Sequence, residues 1–161
     1  MVEKAREIVK WVLVGLNVII WSMVLLVNVV GVQLYLVSGE SMSPTLVDEQ
    51  TVVAYESEEY NRGDIVFMEA VVEGIGEHGY VKRVIGIAGD VIEIRDGKLF
   101  VNGEEEEDRG FGETVGEDLV VKVEEGHVYV LGDNRENSLD SREFGSVSVE
   151  RIYHKMLGIN K

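Results

Sequence analysis

The sequence predicts a mainly β protein of antiparallel strands, either a folded sheet system or a partly closed barrel, preceded by one N-terminal transmembrane helix. Residues 11–37 are almost continuously apolar, and after them short β-branched runs alternate with Gly, Asp and Asn. No amphipathic helix of about ten residues follows. The 161 residues allow one modest domain and an anchor. We therefore predict a tail over 1–10, an apolar anchor over 11–37 and a β domain over 38–161.

The apolar segment is predicted to remain in the chain as a membrane anchor. Residues 11–39 carry no charge, and a bilayer core needs about 20 apolar residues in helical form. A cleavable signal peptide has a shorter apolar core and a small-residue cleavage site, and a buried core helix of this length has a polar face. Because Lys4, Arg6 and Lys10 precede the segment, the positive-inside rule predicts a cytoplasmic N-terminus and a domain on the outer face.

The β domain is read from short runs of strand-forming residues bounded by turn formers. Asp96-Gly97 is a strong two-residue hairpin signal, and Asn102-Gly103 marks the next turn. The predicted strands are Thr51–Tyr55, Asp64–Met68, Tyr80–Gly86, Val91–Arg95, Lys98–Asn102, Leu119–Val123, His127–Leu131 and Arg151–Leu157.

Composition excludes several classes of function. Three of the 15 Lys and Arg and two of the 30 Asp and Glu lie in the first ten residues, which leaves 12 against 28 from residue 38 onward. So acidic a domain argues against nucleic-acid binding. The absence of Cys removes thiol catalysis and Cys-ligated metals. The acidic run Glu104–Asp108 lacks the alternate spacing of a Ca²⁺ loop, and we interpret residues 103–118 as a solvated loop.

The three histidines, His78, His127 and His154, have no metal-ligand spacing. No phosphate-binding Gly loop of the Walker or Rossmann kind is present. We expect no metal and no cofactor. A Ser-His-Asp triad stays open, because triads assemble from distant segments.

The first segment with reactive side chains is Ser38–Leu46, directly after the apolar run. Gly39 and Pro44, the only proline in the chain, bracket Ser41 with two residues that constrain backbone shape. A nucleophile on a rigid turn with backbone N–H groups nearby suits acyl transfer. Taken alone, the segment is equally explained as a Ser-rich juxtamembrane turn.

The second segment is Tyr80–Asp90, where Lys82 and Arg83 are adjacent in a predicted strand and so point to opposite faces. Burial among apolar neighbours lowers the pKa of a lysine and makes its amine a usable base. An ordinary lysine with its amine in solvent fits the same pattern. The third segment, Gly132–Arg142, is a dense polar loop that can orient other groups or simply form a turn.

Together, the three segments resemble bacterial type I signal peptidases in their order and in their position after a single anchor. Residues 41–46 (SMSPTL) resemble the nucleophile box, and 62–67 (RGDIVF) resemble the strand that follows it. Residues 80–90 resemble the general-base box, and 132–142 resemble the Gly-Asp-Asn-Arg…Asp-Ser-Arg box. The endoplasmic-reticulum and archaeal-like members carry His where this chain has Lys82, so the resemblance is to the Ser/Lys type.

The resemblance implies a role for each matched residue. Ser41 is the expected nucleophile, its backbone N–H the oxyanion donor, and Lys82 the general base. Ser138 is expected to hydrogen-bond the Lys82 amine. Some members carry a second, hydroxyl donor at the position of Gly39, where this chain has no side chain. The expected structural supports are Arg83, Asp140 and Arg142.

The implied activity is a membrane-bound serine endopeptidase that removes signal peptides from secretory preproteins with small residues at −1 and −3. Partners implied are those preproteins, the lipid bilayer and the secretion machinery, with no nucleic acid. Shallow apolar pockets are expected from Val37, Phe67, Tyr80 and Val81. A self-cleaving repressor of the SOS type is a rival, but such proteins are soluble and carry a DNA-binding head. The rival of another class is a membrane-anchored, non-enzymatic β-domain binding module.

Overall fold

The computed structural model describes residues 2–72, 74, 76–106 and 117–158. The chain divides into two compact units, residues 1–32 and 33–161. Most of the predicted acidic loop over 103–118 lies outside the described residues, although Glu104–Glu105, at its start, form a short strand.

The first unit is the helix α1, Val2–Val30. Between Ile8 and Leu25, the large apolar side chains whose exposure is described are exposed, including Trp11 and Trp21. Among the described residues, no helix combines the length and the hydropathy needed to cross a membrane.

The helix ends before the predicted anchor does. The prediction continued the apolar run to residue 37, but Gly31 has a φ of 65° and is followed by the strand β1, Val32–Leu36. Glycine adopts this left-handed conformation without the penalty that a Cβ brings, which makes it a common residue just after a helix. Residues 32–36 are therefore strand rather than helix, and the predicted boundary at residue 37 is wrong.

The second unit contains two antiparallel sheets. A seven-stranded sheet has the order β1-β2-β11-β3-β4-β9-β10, and a four-stranded sheet has the order β7-β6-β5-β8. Both are open, so of the two predicted alternatives the structure has the folded sheet system. The strands after β1 are β2 Thr51–Tyr55, β3 Ile65–Val72, β4 Gly76–Ile87, β5 Val91–Arg95, β6 Lys98–Val101, β7 Glu104–Glu105, β8 Leu119–Lys122, β9 His127–Leu131, β10 Val147–Ser148 and β11 Ile152–Met156.

Every strand predicted from the sequence is present, with ends that differ by a few residues. The β5–β6 hairpin forms at the predicted turn, where Asp96 and Gly97 both have positive φ, as a two-residue hairpin of the favoured type requires. The unpredicted strands are β1, which continues the apolar run, and the two-residue strands β7 and β10. A short helix, α2 Ser141–Phe144, begins within the last residues of the third polar segment and has Asp140 as its N-cap.

β4 is an interior strand of the larger sheet, between β3 and β9. One apolar cluster contains the nucleophile-turn residues Met42 and Leu46 with Phe67, and a second packs around Val66 and Val84. A third cluster belongs to the smaller sheet, with residues of β4 and β9. Because side chains of β4 pack against all three clusters, most of the second half of this strand is buried.

Candidate active site

The turn that carries Ser41 connects β1 to β2 and is anchored from both sides. The Gly39 N–H donates to the Asp48 carboxylate at 2.8 Å, and the Leu46 N–H donates to the Met42 carbonyl at 2.9 Å. Met42 and Leu46 are buried in the core, so the turn is fixed on either side of the Ser41 side chain. The Ser43–Pro44 peptide bond in the same turn is cis.

Asn134 holds the same turn from the third polar segment. Its backbone N–H donates to the Ser41 carbonyl at 3.0 Å, and its side-chain amide donates to the Glu40 carbonyl at 3.2 Å. Asn134 was not among the residues predicted from the sequence, because both of its acceptors lie far away along the chain. The one sequence feature that pointed to Asn134 was its place in the polar Gly132–Arg142 segment.

Lys82 meets Ser41 directly. Its Nζ lies 2.7 Å from Ser41 Oγ, within hydrogen-bond distance. Lys82 stands on β4 opposite Val66 of β3, and only 2% of it is exposed. Its neighbour Arg83 points to the opposite face, as the strand alternation predicted. The fold therefore brings together two residues that are far apart in sequence and buries the amine.

Burial changes the chemistry of the Lys82 amine. Desolvation lowers its pKa from 10.5 to about 8, because the charged form loses water contacts. The Asp140 and Asp133 carboxylates act in the other direction, and the Arg142 guanidinium adds to the lowering. With a pKa of about 8, roughly one amine in ten is neutral at pH 7, against about one in 2,500 for an unperturbed lysine.

Ser138 lies beside the nucleophile turn but does not make the predicted hydrogen bond to Lys82. Its Oγ is buried and has no hydrogen-bond partner among the described residues, while the Lys82 amine is bonded to Ser41. A Cβ at Gly132 would collide with the Ser138 side chain and lie 2.6 Å from the Ser41 carbonyl oxygen. The absence of a side chain at Gly132 is therefore what lets the loop approach the turn so closely.

Two buried ion pairs brace the loop after β9. Arg83 donates to both oxygens of Asp133, at 2.8 and 2.6 Å, and also to the Gly63 carbonyl. Arg142 donates to both oxygens of Asp140, at 2.8 and 2.9 Å. Because each carboxylate accepts two hydrogen bonds from its guanidinium, each ion pair fixes the relative orientation of its two side chains as well as their separation. Asp140 also accepts from the Gly132 N–H, which ties the two ends of the loop together.

The backbone N–H of Ser41 is the group that this site offers to an oxyanion. Within the described part of the chain, the Ser41 N–H donates no hydrogen bond and is free for a ligand. The Gly39 N–H is already used by Asp48, and Gly39 has no side chain to offer. Among the same residues, no group of His, Asp and Glu is arranged to hold a metal ion.

A cavity of about 280 Å³ opens beside Ser41 and Lys82. All four residues expected to form apolar pockets line it, together with residues that were not predicted. Its lining comprises Tyr35, Leu36, Val37, Ser38, Ser41, Phe67, Gly79, Tyr80, Val81, Lys82 and Tyr153. The cavity is slightly smaller than typical sites for drug-sized ligands, which begin at roughly 300 Å³.

Comparison with known proteins decides the family. A crystal structure of a signal peptidase I from Enterococcus faecalis is 29% identical, with a TM-score of 0.49 over 59% of this chain and 94% of that one. Signal peptidase IB of Staphylococcus aureus is 30% identical over 94% of this chain and 88% of that protein. Signal peptidase I of Bacillus licheniformis is 34% identical over 93% and 87%. The family model "Signal peptidase, peptidase S26" matches residues 8–158. The chain belongs to this family.

Membership of the signal peptidase family confirms the resemblance predicted from the three segments. It also confirms the predicted class of enzyme, a peptidase, and leaves the non-enzymatic binding module without support. The match includes most of α1 as well as the β domain, since it begins at residue 8. The family description assigns no residue, so the roles of Ser41 and Lys82 are argued below from geometry.

The Arg83–Asp133 pair yields a stability prediction for this signal peptidase. We expect Arg83→Met to lower the free energy of unfolding by about 3–5 kcal/mol, because it leaves the fully buried Asp133 carboxylate without its partner. The matched control is Arg151→Met, whose partner Glu77 is exposed, and there we expect a loss below about 1 kcal/mol. Denaturant unfolding followed by circular dichroism measures both. Equal losses in the two variants would contradict the proposed bracing role.

Proposed function

We propose that this chain is a serine endopeptidase that removes N-terminal signal peptides from secreted preproteins, with Ser41 as nucleophile and Lys82 as general base. The observation that carries the proposal is the 2.7 Å contact between the buried Lys82 amine and Ser41 Oγ. A nucleophile within hydrogen-bond distance of a base with a lowered pKa is the arrangement that covalent catalysis requires. Family membership supplies the type of substrate.

Acylation follows from this contact. Neutral Lys82 takes the proton from Ser41 as Oγ attacks the scissile carbonyl carbon, and the Ser41 N–H donates to the oxyanion that forms. The resulting Lys82 ammonium gives its proton to the leaving amine as the peptide bond breaks. The signal peptide then remains as an ester on Ser41, and the mature protein departs with a free N-terminus.

Deacylation repeats the same proton transfers with water. Lys82, neutral again, takes a proton from a water molecule that attacks the ester, and then returns a proton to Ser41 Oγ as the C–O bond breaks. The two nearby carboxylates, Asp140 and Asp133, favour the ammonium form of Lys82. Burial thus raises the neutral fraction of the base to roughly one in ten at pH 7, whereas these charges stabilise its protonated form.

The remaining polar residues are proposed as supports. Asp140 with Arg142, and Arg83 with Asp133, fix the loop whose Asn134 holds the Ser41 turn. Ser138 is proposed to orient the Lys82 amine when Ser41 Oγ is engaged with substrate, because its hydroxyl is buried beside the turn with no other partner in the described residues. We assign no second oxyanion donor, because Gly39 has no side chain.

The substrate proposal rests on the cavity. Apolar side chains supply most of its wall, and it lies directly beside Ser41 and Lys82, where the residues at −1 and −3 of a secretory preprotein would bind. The partners proposed are such preproteins and the secretion machinery that presents them. A non-enzymatic binding module would leave the buried Lys82–Ser41 contact unexplained.

The helical part of the apolar run, residues 11–30, is also proposed as a membrane anchor, with residues 1–10 cytoplasmic and residues 38–161 on the outer face. Its support comes from the uncharged stretch over 11–39, the basic residues before it and the exposed apolar side chains of α1. A helix that is apolar on every side needs an apolar environment. The lipid bilayer is therefore a proposed partner, and the cell membrane the proposed location.

The dyad is tested by preprotein processing. We expect Ser41→Ala and Lys82→Met to lower kcat/KM by at least about 10³-fold, because each removes one half of the proton transfer. Lys82→Arg should be equally inactive, since arginine keeps the charge and is not a base at neutral pH. The matched controls are Ser43→Ala in the same turn and Lys122→Met on β8, which should retain activity. Wild-type processing by Ser41→Ala or Lys82→Met would remove the mechanism.

The pH profile tests the state of the base. Since only neutral Lys82 accepts a proton, kcat/KM should increase about tenfold per pH unit below the lowered pKa of about 8 and level off above it. The measurement is cleavage of a signal-peptide substrate between pH 6 and 10. A profile that continues to rise to pH 10 would show an unperturbed lysine and contradict the burial argument.

The anchor is tested by membrane extraction. We expect the chain to stay in the membrane fraction after an alkaline carbonate wash, and the double variant Leu16→Glu/Leu25→Glu to be released into the supernatant. Both side chains are exposed on α1, and an acidic residue in the middle of a membrane helix costs roughly 2.5–3.5 kcal/mol. The control Lys122→Glu in the β domain should stay in the membrane. Release of the wild type would contradict the anchor.

A further inference from the structure

One wall of the cavity is formed by two stacked aromatic rings. Tyr35 of β1 lies on Phe67 of β3, with ring centroids 4.1 Å apart and an angle of 15° between the planes. Both residues line the cavity beside Ser41. The position of the Tyr35 ring therefore sets part of the width that the cavity offers to a side chain.

His154 of β11 holds the Tyr35 ring from behind. Its Nδ1 lies 2.9 Å from the Tyr35 hydroxyl, and its ring meets the Tyr35 ring edge-on with centroids 5.5 Å apart. His154 stands directly opposite Phe67 in the pairing of β11 with β3. His154 is not among the cavity-lining residues, whereas its neighbour Tyr153 is. It can therefore act on the cavity only through other residues.

Stability alone does not explain a histidine at this position. The other ring nitrogen, Nε2, is buried and has no hydrogen-bond partner among the described residues. A buried polar atom without a partner is unfavourable, and an apolar residue of similar size would avoid it. What histidine supplies, and an apolar residue does not, is the bond to the Tyr35 hydroxyl.

We propose that His154 is a positioning residue that determines substrate specificity: by bonding Tyr35, it fixes the aromatic wall and excludes larger side chains from the cavity. The inference rests on the proposed function and deepens it, since it assigns the preference for small residues to a named contact. Without the bond, the Tyr35 ring is restrained by apolar packing alone, and a rotation of its side chain would widen the cavity. Side chains that shape a site are held by such supporting hydrogen bonds.

This role differs from a catalytic one. The base that contacts Ser41 Oγ is Lys82, whereas His154 is bonded to Tyr35. Loss of His154 should therefore change which substrates are accepted while leaving the rate on the best substrate nearly intact. Loss of a catalytic group lowers kcat for every substrate.

The test uses the full-length chain in detergent micelles and signal-peptide substrates with Ala or Leu at −1, and separately at −3. The readout is the ratio of kcat/KM for the Ala peptide to that for the Leu peptide at each position. We expect His154→Leu to lower this ratio about tenfold at one position at least, through a lower KM for the Leu peptide. Its kcat on the Ala peptide should stay within about twofold of the wild type.

Two further variants separate the hydrogen bond from general packing. His154→Asn places an amide oxygen near the former position of Nδ1, so it should restore most of the wild-type ratio. Tyr35→Phe keeps the ring and removes the hydroxyl, so it should lower the ratio as His154→Leu does. The double variant His154→Leu/Tyr35→Phe should lower the ratio no further than either single variant does, because both substitutions remove the same hydrogen bond. The matched control is His127→Leu, which should leave the ratio unchanged, because the His127 ring bonds the nearby Glu125 carbonyl and does not line the cavity.

The outcomes separate this inference from the function on which it rests. Cleavage by the wild type with an unchanged ratio in His154→Leu or Tyr35→Phe would overturn the inference and leave the proposed function intact. A large loss of kcat on the Ala peptide in folded His154→Leu would also overturn it, in favour of a catalytic role. If His154→Leu does not fold, Tyr35→Phe alone decides. Failure of the wild type to cleave any peptide would instead overturn the proposed function.

Discussion

The contact between Lys82 and Ser41 depends on burial, and the β domain is arranged to provide it. The Lys82 amine lies 2.7 Å from Ser41 Oγ, and burial lowers its pKa to about 8. An exposed lysine would be almost entirely protonated at neutral pH and could not accept the serine proton. This lysine stands on β4, an interior strand between β3 and β9, in the half of the strand whose side chains are buried. The interior place of β4 therefore serves the chemistry as well as the fold.

The charged residues around the site act mainly on geometry. The Arg83–Asp133 and Arg142–Asp140 pairs are buried, so their Coulomb attraction is largely offset by the cost of removing both charges from water. What they add is direction, because each pair fixes one end of the loop that carries Asn134 to the Ser41 turn. The carboxylates also favour protonated Lys82, which limits how far burial can lower its pKa. The same side chains therefore hold the loop in place and change the pKa of Lys82.

Features with a local cause could be predicted from the sequence, and those that depend on distant contacts could not. The hairpin at Asp96-Gly97 follows from turn chemistry alone. The end of α1 at Val30 was missed because the apolar run continues through Leu36 and hydrophobicity does not distinguish helix from strand there. The contact of Lys82 with Ser41 was inferred from a family pattern. The bonds of Asn134 and His154 join residues far apart in the chain, and their partners carry no sequence signal of the pairing.

The central claim is that Lys82 is buried against Ser41 and is partly neutral at physiological pH. The most direct test is an NMR titration of ¹³Cε-labelled lysine in the full-length chain, with the Lys82 signal assigned by its loss in Lys82→Arg. We expect this signal to titrate near pH 8, well below the 10.5 of an unperturbed lysine. A Lys82 signal that titrates near 10.5 would contradict the central claim.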